Sequence, residues 1–154
     1  MLKKIVLSCT LIILVLAGCA PVDQETVEQS LELKIKMTML EPGKLSISTG
    51  VHNPTKHEYA GNENFEGNLI ISDKAVNLVY EGRSYIFSPL AAGETSYPFG
   101  YEIDMSPGSY TAQFSALGKE PLEVQFEIVE INEVLTLVAP DDVIDPHTNY
   151  TNLK

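Results

Sequence analysis

Apolar and polar side chains alternate with a period of two along most of the chain between Leu31 and Ile128. The longest such stretch, residues 31–39, has an apolar side chain at every second position and charged or hydroxyl side chains between them. This pattern is typical of strands with one buried and one solvent-facing side. Turn-forming glycine, proline and asparagine separate the stretches, and the predicted strands cover residues 31–39, 45–51, 68–72, 76–80, 84–87, 97–103, 110–116 and 122–128.

Gly82 and Pro98 carry the most specific predictions within this pattern. Glu81-Gly82-Arg83 is predicted to be the turn of a hairpin, because glycine supplies the positive φ that a tight hairpin needs. Pro98 has no N–H to donate, so its strand is predicted to lie at a sheet edge or to contain a bulge. The aromatic side chains of that strand share one phase and are predicted to face the core, with exposure to a partner strand as the alternative: Tyr97, Phe99 and Tyr101.

The number and spacing of the strands predict an all-β chain. Short strands at intervals near about 8 to 12 residues favour a single antiparallel immunoglobulin-like β-sandwich of about 7 to 9 strands, in which two sheets bury their apolar faces against each other. A short edge strand near residues 58–60 and a last strand or clip over 134–138 are left open. The sandwich is predicted to span residues 31–138, and the acidic, proline-broken segment 139–154 to be a mobile C-terminal tail.

The first residues of the chain have the layout of a secretory signal. Lys3 and Lys4 precede an almost wholly apolar run over residues 5–17, which ends in small residues. The run is too short for a spanning helix, which needs about 20 apolar residues. Residues 1–18 are therefore predicted to be a signal peptide, and the polar residues 19–30 a tether, with a helical turn over 25–29 as an alternative within it.

Leu16-Ala17-Gly18-Cys19 resembles the bacterial lipobox. The resemblance implies cleavage before Cys19 and a diacylglyceryl group on its thiol. Cys9 is lost with the signal peptide, so Cys19 is the only cysteine of the predicted mature chain, and no disulfide within that chain is expected. The predicted location is the extracytoplasmic face of the cell membrane. Because Ala20 stands where an aspartate would signal retention, the outer membrane is expected if the host is Gram-negative.

The net charge narrows the range of partners. The whole chain has a formal charge of −11, and loss of Lys3 and Lys4 leaves 8 basic against 21 acidic residues, or −13. A surface this acidic repels nucleic acid and anionic lipid headgroups, so no nucleic-acid partner is expected. The acyl chains on Cys19 are therefore expected to hold the protein to the membrane without help from a basic patch.

Two groups of residues could hold a divalent cation. His52 and His57, with Glu58 beside them and Glu63 or Glu66 as a third ligand, could bind a metal, although a solvated loop is the favoured interpretation. Residues 62–66 with Asp73 offer oxygens for calcium, but their spacing does not match an EF-hand loop. The remaining histidine, His147, lies in the predicted tail. No metal or cofactor is predicted.

The sequence has no motif for nucleophilic catalysis. It contains no Gly-x-Ser-x-Gly, and lipidation of Cys19 would leave no free thiol. Carboxylates are numerous, but none is singled out by its spacing. The chain is therefore predicted not to be an enzyme.

Three segments between Leu45 and Ile128 resemble turns of the small bacterial immunoglobulin-like sandwiches: Val51-His52-Asn53-Pro54, residues 90–94 and residues 106–111. Their order is similar to that in the intracellular proteinase inhibitor family of bacilli. The resemblance implies a β-sandwich and inhibition of serine proteinases, and no inhibitory residue can be assigned from it.

The predicted function is a lipid-anchored, extracytoplasmic binding or structural module of the bacterial cell envelope. Its expected partners are the membrane, through the acyl chains on Cys19, and an envelope protein. Two alternatives are a proteinase inhibitor of the bacillar intracellular type and a lipoprotein that binds a divalent cation or a small ligand.

Overall fold

The computed structural model describes residues 23–61, 66–85 and 89–144. The predicted signal peptide, Cys19 and residues 145–154 lie outside the described part of the chain. The described elements are one short helix and eight strands: α1 (Gln24–Ser30), β1 (Glu32–Glu41), β2 (Lys44–His52), β3 (Glu66–Asp73), β4 (Leu78–Tyr85), β5 (Thr95–Asp104), β6 (Gly108–Ala116), β7 (Leu122–Ile131) and β8 (Val134–Val138).

The strands form two antiparallel sheets, which confirms the prediction of an all-β sandwich. One sheet has three strands in the order β1-β2-β5, and the other has five in the order β4-β3-β6-β7-β8. Apart from β8, this is the strand order of an immunoglobulin-like sandwich whose fourth strand pairs with the third. The buried core lies between the sheets and draws side chains from both, with Met37, Ile47, Leu69 and Phe114 fully enclosed.

The first hairpin follows the predicted alternation closely. In β1 and β2 the inward side chains, among them Ile35, Met37 and Leu45, are buried, while the polar ones between them are partly exposed. Pro42 and Gly43 join the two strands, and Gly43 has a φ of 85°. The alternation predicted these strands because one face of each is in the core and the other is in water.

The predicted turn at Glu81-Gly82-Arg83 is wrong. Strand β4 passes straight through these residues and pairs with β3, and the hairpin turn lies earlier, over residues 74–77. The carboxylate of Asp73 accepts hydrogen bonds from the N–H groups of Ala75 and Asn77 and holds that turn. Gly82 serves close packing instead, because a Cβ there would lie 2.8 Å from the rings of Tyr80 and Tyr101.

Strand β5 is an edge strand of the three-stranded sheet, as Pro98 predicted. The pairing between β2 and β5 shifts register opposite Gly50, which changes the face of the residues before the shift. Tyr97 therefore lies on the outer face, with the ammonium of Lys36 5.1 Å from its ring centroid. The prediction that Tyr97 faces the core is wrong. Phe99 and Tyr101, by contrast, pack against the core.

Segments on both sides of the predicted sandwich are packed onto it. Helix α1 forms within the predicted tether and buries Val27 in the core. After β8, Val143 is buried, and its carbonyl accepts a 2.8 Å hydrogen bond from the N–H of Met37. The part of the predicted tail up to Ile144 is thus packed on β1. No helix among the described residues is long and apolar enough to cross a membrane.

Thr49 is a polar residue in the core, and it gives a first prediction. It is 1% exposed, and its Oγ1 has no hydrogen-bond partner among the described residues. Burial of an unpaired hydroxyl is costly, so Thr49→Val should stabilise the chain by about 1 kcal/mol, seen as a higher midpoint in thermal or urea unfolding. Thr55→Val is the matched control and should destabilise, because the Thr55 hydroxyl donates to Asn53 Oδ1 at 2.7 Å. A Thr49→Val chain less stable than the wild type would contradict this account.

Candidate functional site

The candidate metal ligands are not brought together in the structure. His52 Nδ1 lies 2.8 Å from the hydroxyl of Thr95, so this ring helps to join β2 to β5. His57 is exposed, and its carbonyl accepts hydrogen bonds from the loop. Among the described residues, no three histidine, cysteine or acidic side chains are placed to hold a metal ion. Glu63 and His147 lie outside the described residues.

The candidate calcium ligands are also far apart. Glu66 and Asp73 stand at opposite ends of β3, and seven residue steps of about 3.3 Å separate them by roughly 23 Å. The carboxylate of Glu66 lies 3.7 Å from the guanidinium of Arg83. Asp73 is engaged in the hairpin turn. These two carboxylates therefore cannot ligate one ion, and residues 62–65 lie outside the described part of the chain.

Asn53 joins two of the turn motifs into one unit. It is fully buried, and its side-chain amide donates to the carbonyls of His57, Leu90 and Ala91 at 2.8, 3.1 and 3.2 Å. Its backbone N–H donates to the backbone carbonyl of Glu94, and its backbone carbonyl accepts from the N–H of Gly93. The residues 53–57 and 90–94, which the sequence presents as separate turns, are thereby fixed against each other.

Helix α1 is docked at this same end of the sandwich. The side-chain amide of Gln24 donates to the carbonyl of Glu58 and accepts from the N–H of Ala60. The hydroxyl of Tyr59 donates to the carboxylate of Glu28 at 3.0 Å, and burial together with this bond raises the pKa of Tyr59 to about 12. We call this the helix end of the sandwich, and it comprises α1 with residues 53–61, 89–94 and 117–121.

The opposite end of the sandwich is formed by tight turns. We call it the hairpin end, and it comprises residues 42–43, 74–77, 105–107 and 132–133. Tyr110 fixes one of these turns, since its hydroxyl donates to the carbonyl of Ser106 at 2.8 Å and its ring stacks on Phe126 at 5.5 Å. A tyrosine bonded back to the chain just upstream, at the start of this strand, is a hallmark of immunoglobulin-like sandwiches.

A trough of about 930 Å³ lies on the outer face of the five-stranded sheet, towards the hairpin end. One rim is the β3–β4 turn with Val76 and Leu78, and the other is the segment from Val138 to Pro140. Its floor consists of side chains that point away from the core in two cross-strand rows: Ser72, Thr111 and Gln125 in one, and Ile70, Gln113 and Glu123 in the other. This is the candidate functional site, and we call it the outer-face trough.

The charged groups of the trough are mostly acidic. Among the described residues that line it, Asp73, Glu123 and Glu127 are acidic and Lys74 is the one cation. Hydrogen bonds from the side chain and backbone N–H of Asn77 lower the pKa of Asp73, so its carboxylate stays ionised at neutral pH. Hydrogen bonds from Gln113 at 2.7 Å and Ser109 at 3.2 Å orient the two glutamates. The trough therefore repels anions and attracts cations.

The rims of the trough expose large apolar side chains. Val76, Leu78 and Val138 are 83%, 63% and 49% exposed. Val76 also has a φ of 64°, a left-handed conformation that is unfavourable for a β-branched residue. Neither packing within the chain nor turn geometry therefore favours valine at this position.

Comparison with known proteins gives structural matches but no family. No family model matches the chain, and no curated protein matches it. Among solved structures it is similar to a β-glucuronidase of Bacteroides uniformis, with 19% identity over 64% of this chain and 13% of that chain, and a TM-score of 0.39. The chain thus spans only a small part of the glucuronidase. It is also similar to the Northeast Structural Genomics Consortium target SoR45, with 14% identity over 83% of this chain and 95% of that chain, and a TM-score of 0.34.

Proposed function

We propose that this chain is a non-enzymatic binding module of the bacterial cell envelope, lipid-anchored through Cys19 at the extracytoplasmic face of a membrane. The lipobox-like Leu16-Ala17-Gly18-Cys19 supports the anchor. The observation that carries the proposal is that helix α1, which is packed on the sandwich, lies very close in sequence to Cys19. Asp23 caps α1, and its carboxylate accepts from the N–H of Glu25, only four residues after Cys19.

This spacing sets how the anchored domain would stand on the membrane. Four residue steps of at most about 3.5 Å reach roughly 14 Å, so the lipid would hold the start of α1 close to the headgroups. Gln24 and Val27 attach α1 to the domain, so in the proposed arrangement the helix end would face the membrane. The hairpin end, with the outer-face trough beside it, would then point away from the lipid and towards an envelope partner.

The anchor is tested by replacing Cys19. Cys19→Ser removes the thiol that takes up the lipid, so the variant is expected to leave the membrane fraction or to accumulate as an uncleaved precursor. Fractionation of cells and the mass of the recovered chain measure both outcomes. Cys9→Ser is the matched control, because Cys9 belongs to the predicted signal peptide but not to the lipobox, and it should behave as the wild type. Normal processing and membrane retention of Cys19→Ser would overturn the proposal.

A further inference from the structure

We propose that the outer-face trough binds an extended segment of another polypeptide that carries both basic and apolar side chains. The inference deepens the proposed function by naming the chemistry of the partner, and it rests on that function only for where the partner is met. Three properties of the trough lead to it: its length across the sheet, the apolar side chains on its rims and the charge of its floor.

The length of the trough matches a short extended peptide. It reaches from Leu78 on β4 across β3, β6 and β7 to Val138 on β8. Four strand spacings of about 4.8 Å give roughly 19 Å, which about six extended residues would cover. The floor offers hydroxyl and amide groups at Ser72, Thr111 and Gln125, which can donate to and accept from a peptide backbone.

The rims supply the apolar contact. Val76 and Leu78 stand on one side of the floor and Val138 on the other, and all three are exposed in the free chain. An occupant with apolar side chains would remove these surfaces from water, at about 25 cal/mol for each Å² buried. Cover by a partner would explain why valine stands at position 76, in a left-handed turn conformation where its side chain is exposed in the free chain.

The acidic side chains that line the trough select a basic occupant. Glu123 and Glu127 are held by hydrogen bonds from the adjacent strand β6 and project on the outer face, so a lysine or arginine could approach both. A glycan is a poorer fit, because sugar rings are usually covered by flat aromatic faces. The aromatic residues in the lining, Tyr110 and Phe126, are stacked on each other, and Phe126 is only 2% exposed.

The test is a titration of the full-length protein in detergent micelles. The probe is a dye-labelled, end-blocked peptide of about six residues, the length set by the strand spacing, with lysine and valine alternating. Its twin has glutamate in place of lysine. Fluorescence anisotropy should show saturable binding of the lysine peptide that weakens as salt is added, and no binding of the glutamate peptide.

Two sets of variants locate the binding. Glu123→Gln combined with Glu127→Gln should weaken the lysine peptide at least tenfold. Thr111→Arg fills the centre of the floor and should abolish binding. Ser48→Arg is its matched control, because it adds the same charge on the outer face of the other sheet, where Ser48 lies on the central strand. If Thr111→Arg fails to fold, Gln125→Arg blocks the same cross-strand row.

The outcomes separate this inference from the anchor. Equal binding by the Thr111→Arg and Ser48→Arg proteins, equal binding of the two peptides, or displacement of the lysine peptide by neutral dextran would each overturn the inference. The Cys19→Ser protein should bind the lysine peptide with unchanged affinity, because the micelle titration does not depend on the lipid. Normal processing and membrane retention of Cys19→Ser, with intact peptide binding, would therefore remove the proposed location and leave the trough's ligand in place.

Discussion

Asn53→Asp is expected to destabilise the chain more than Asn53→Ala, although aspartate has almost the same shape as asparagine. The alanine variant leaves buried carbonyls without their donor, at a cost of about 3 kcal/mol. The aspartate variant places a carboxylate against the three carbonyl oxygens that the amide now serves. Burial of an unpaired charge adds to the loss, for a total of about 4 kcal/mol or more at pH 7. Urea unfolding monitored by circular dichroism measures both values.

The stability of the aspartate variant should also depend on pH. Burial and the facing carbonyls raise the pKa of a carboxyl in this position above its unfolded value, since they disfavour the charged form. The folded state then holds the proton more tightly than the unfolded state, so the stability of the Asn53→Asp protein should increase as pH falls from 7 towards 4. The Asn53→Ala protein should not share this increase beyond the trend of the wild type.

A control asparagine separates this effect from a general sensitivity of turns. Asn77 also uses its side chain in a turn, donating to the carboxylate of Asp73 at 2.9 Å, but it is exposed to solvent. Water can replace its bonds, so Asn77→Ala should cost less than about 1 kcal/mol. The account of Asn53 fails if its aspartate and alanine variants are equally stable at pH 7, or if Asn77→Ala costs as much as either.

The alternation of side chains predicted the sandwich because burial in this chain follows the strand period. Ile35, Met37 and Leu45 are inward and enclosed wherever a polar neighbour is outward. The pattern fails at Gly82, where the sequence predicts a turn and the structure has a strand. It is buried within a strand because the rings of Tyr80 and Tyr101 occupy the space of a side chain. Contacts between strands distant in sequence are not visible in local turn chemistry.

The candidate site was not predicted from the sequence for a related reason. Thr111, Gln113 and Gln125 occupy the polar phase of their strands, which a period of two assigns simply to solvent. Only the pairing of β3, β6 and β7 brings them side by side. One signal was present in the sequence: apolar residues at 76, 78 and 79 directly follow the charged residues Asp73 and Lys74. Their exposure could not be read from the sequence.

Gly50→Ala should destabilise the chain by about 3 kcal/mol, at the upper end of the usual cost of overpacking. A Cβ at Gly50 would overlap the backbone carbonyl oxygen of Ser96 and would lie 2.7 Å from the ring of Tyr97. The tyrosine ring could turn aside, but the carbonyl belongs to β5 at the point where its pairing with β2 shifts register. Relief therefore requires movement of the strand backbone. Thermal unfolding of the purified protein measures the loss, which should lower the midpoint by about 12 °C or more.

Gly100→Ala is the matched control for this prediction. Gly100 lies in the same sheet, opposite Ser48, and a Cβ there would meet only the Ser48 hydroxyl, at an ordinary contact distance of 3.5 Å. Neither glycine has a positive φ, so both substitutions reduce the freedom of the unfolded chain equally, and Gly100→Ala should stabilise by about 0.5 kcal/mol. The difference between the two variants then measures the space at the register shift. Equal stability of the two proteins would mean that β5 can move away from Gly50, and that Tyr97 is not held on the outer face by this shift.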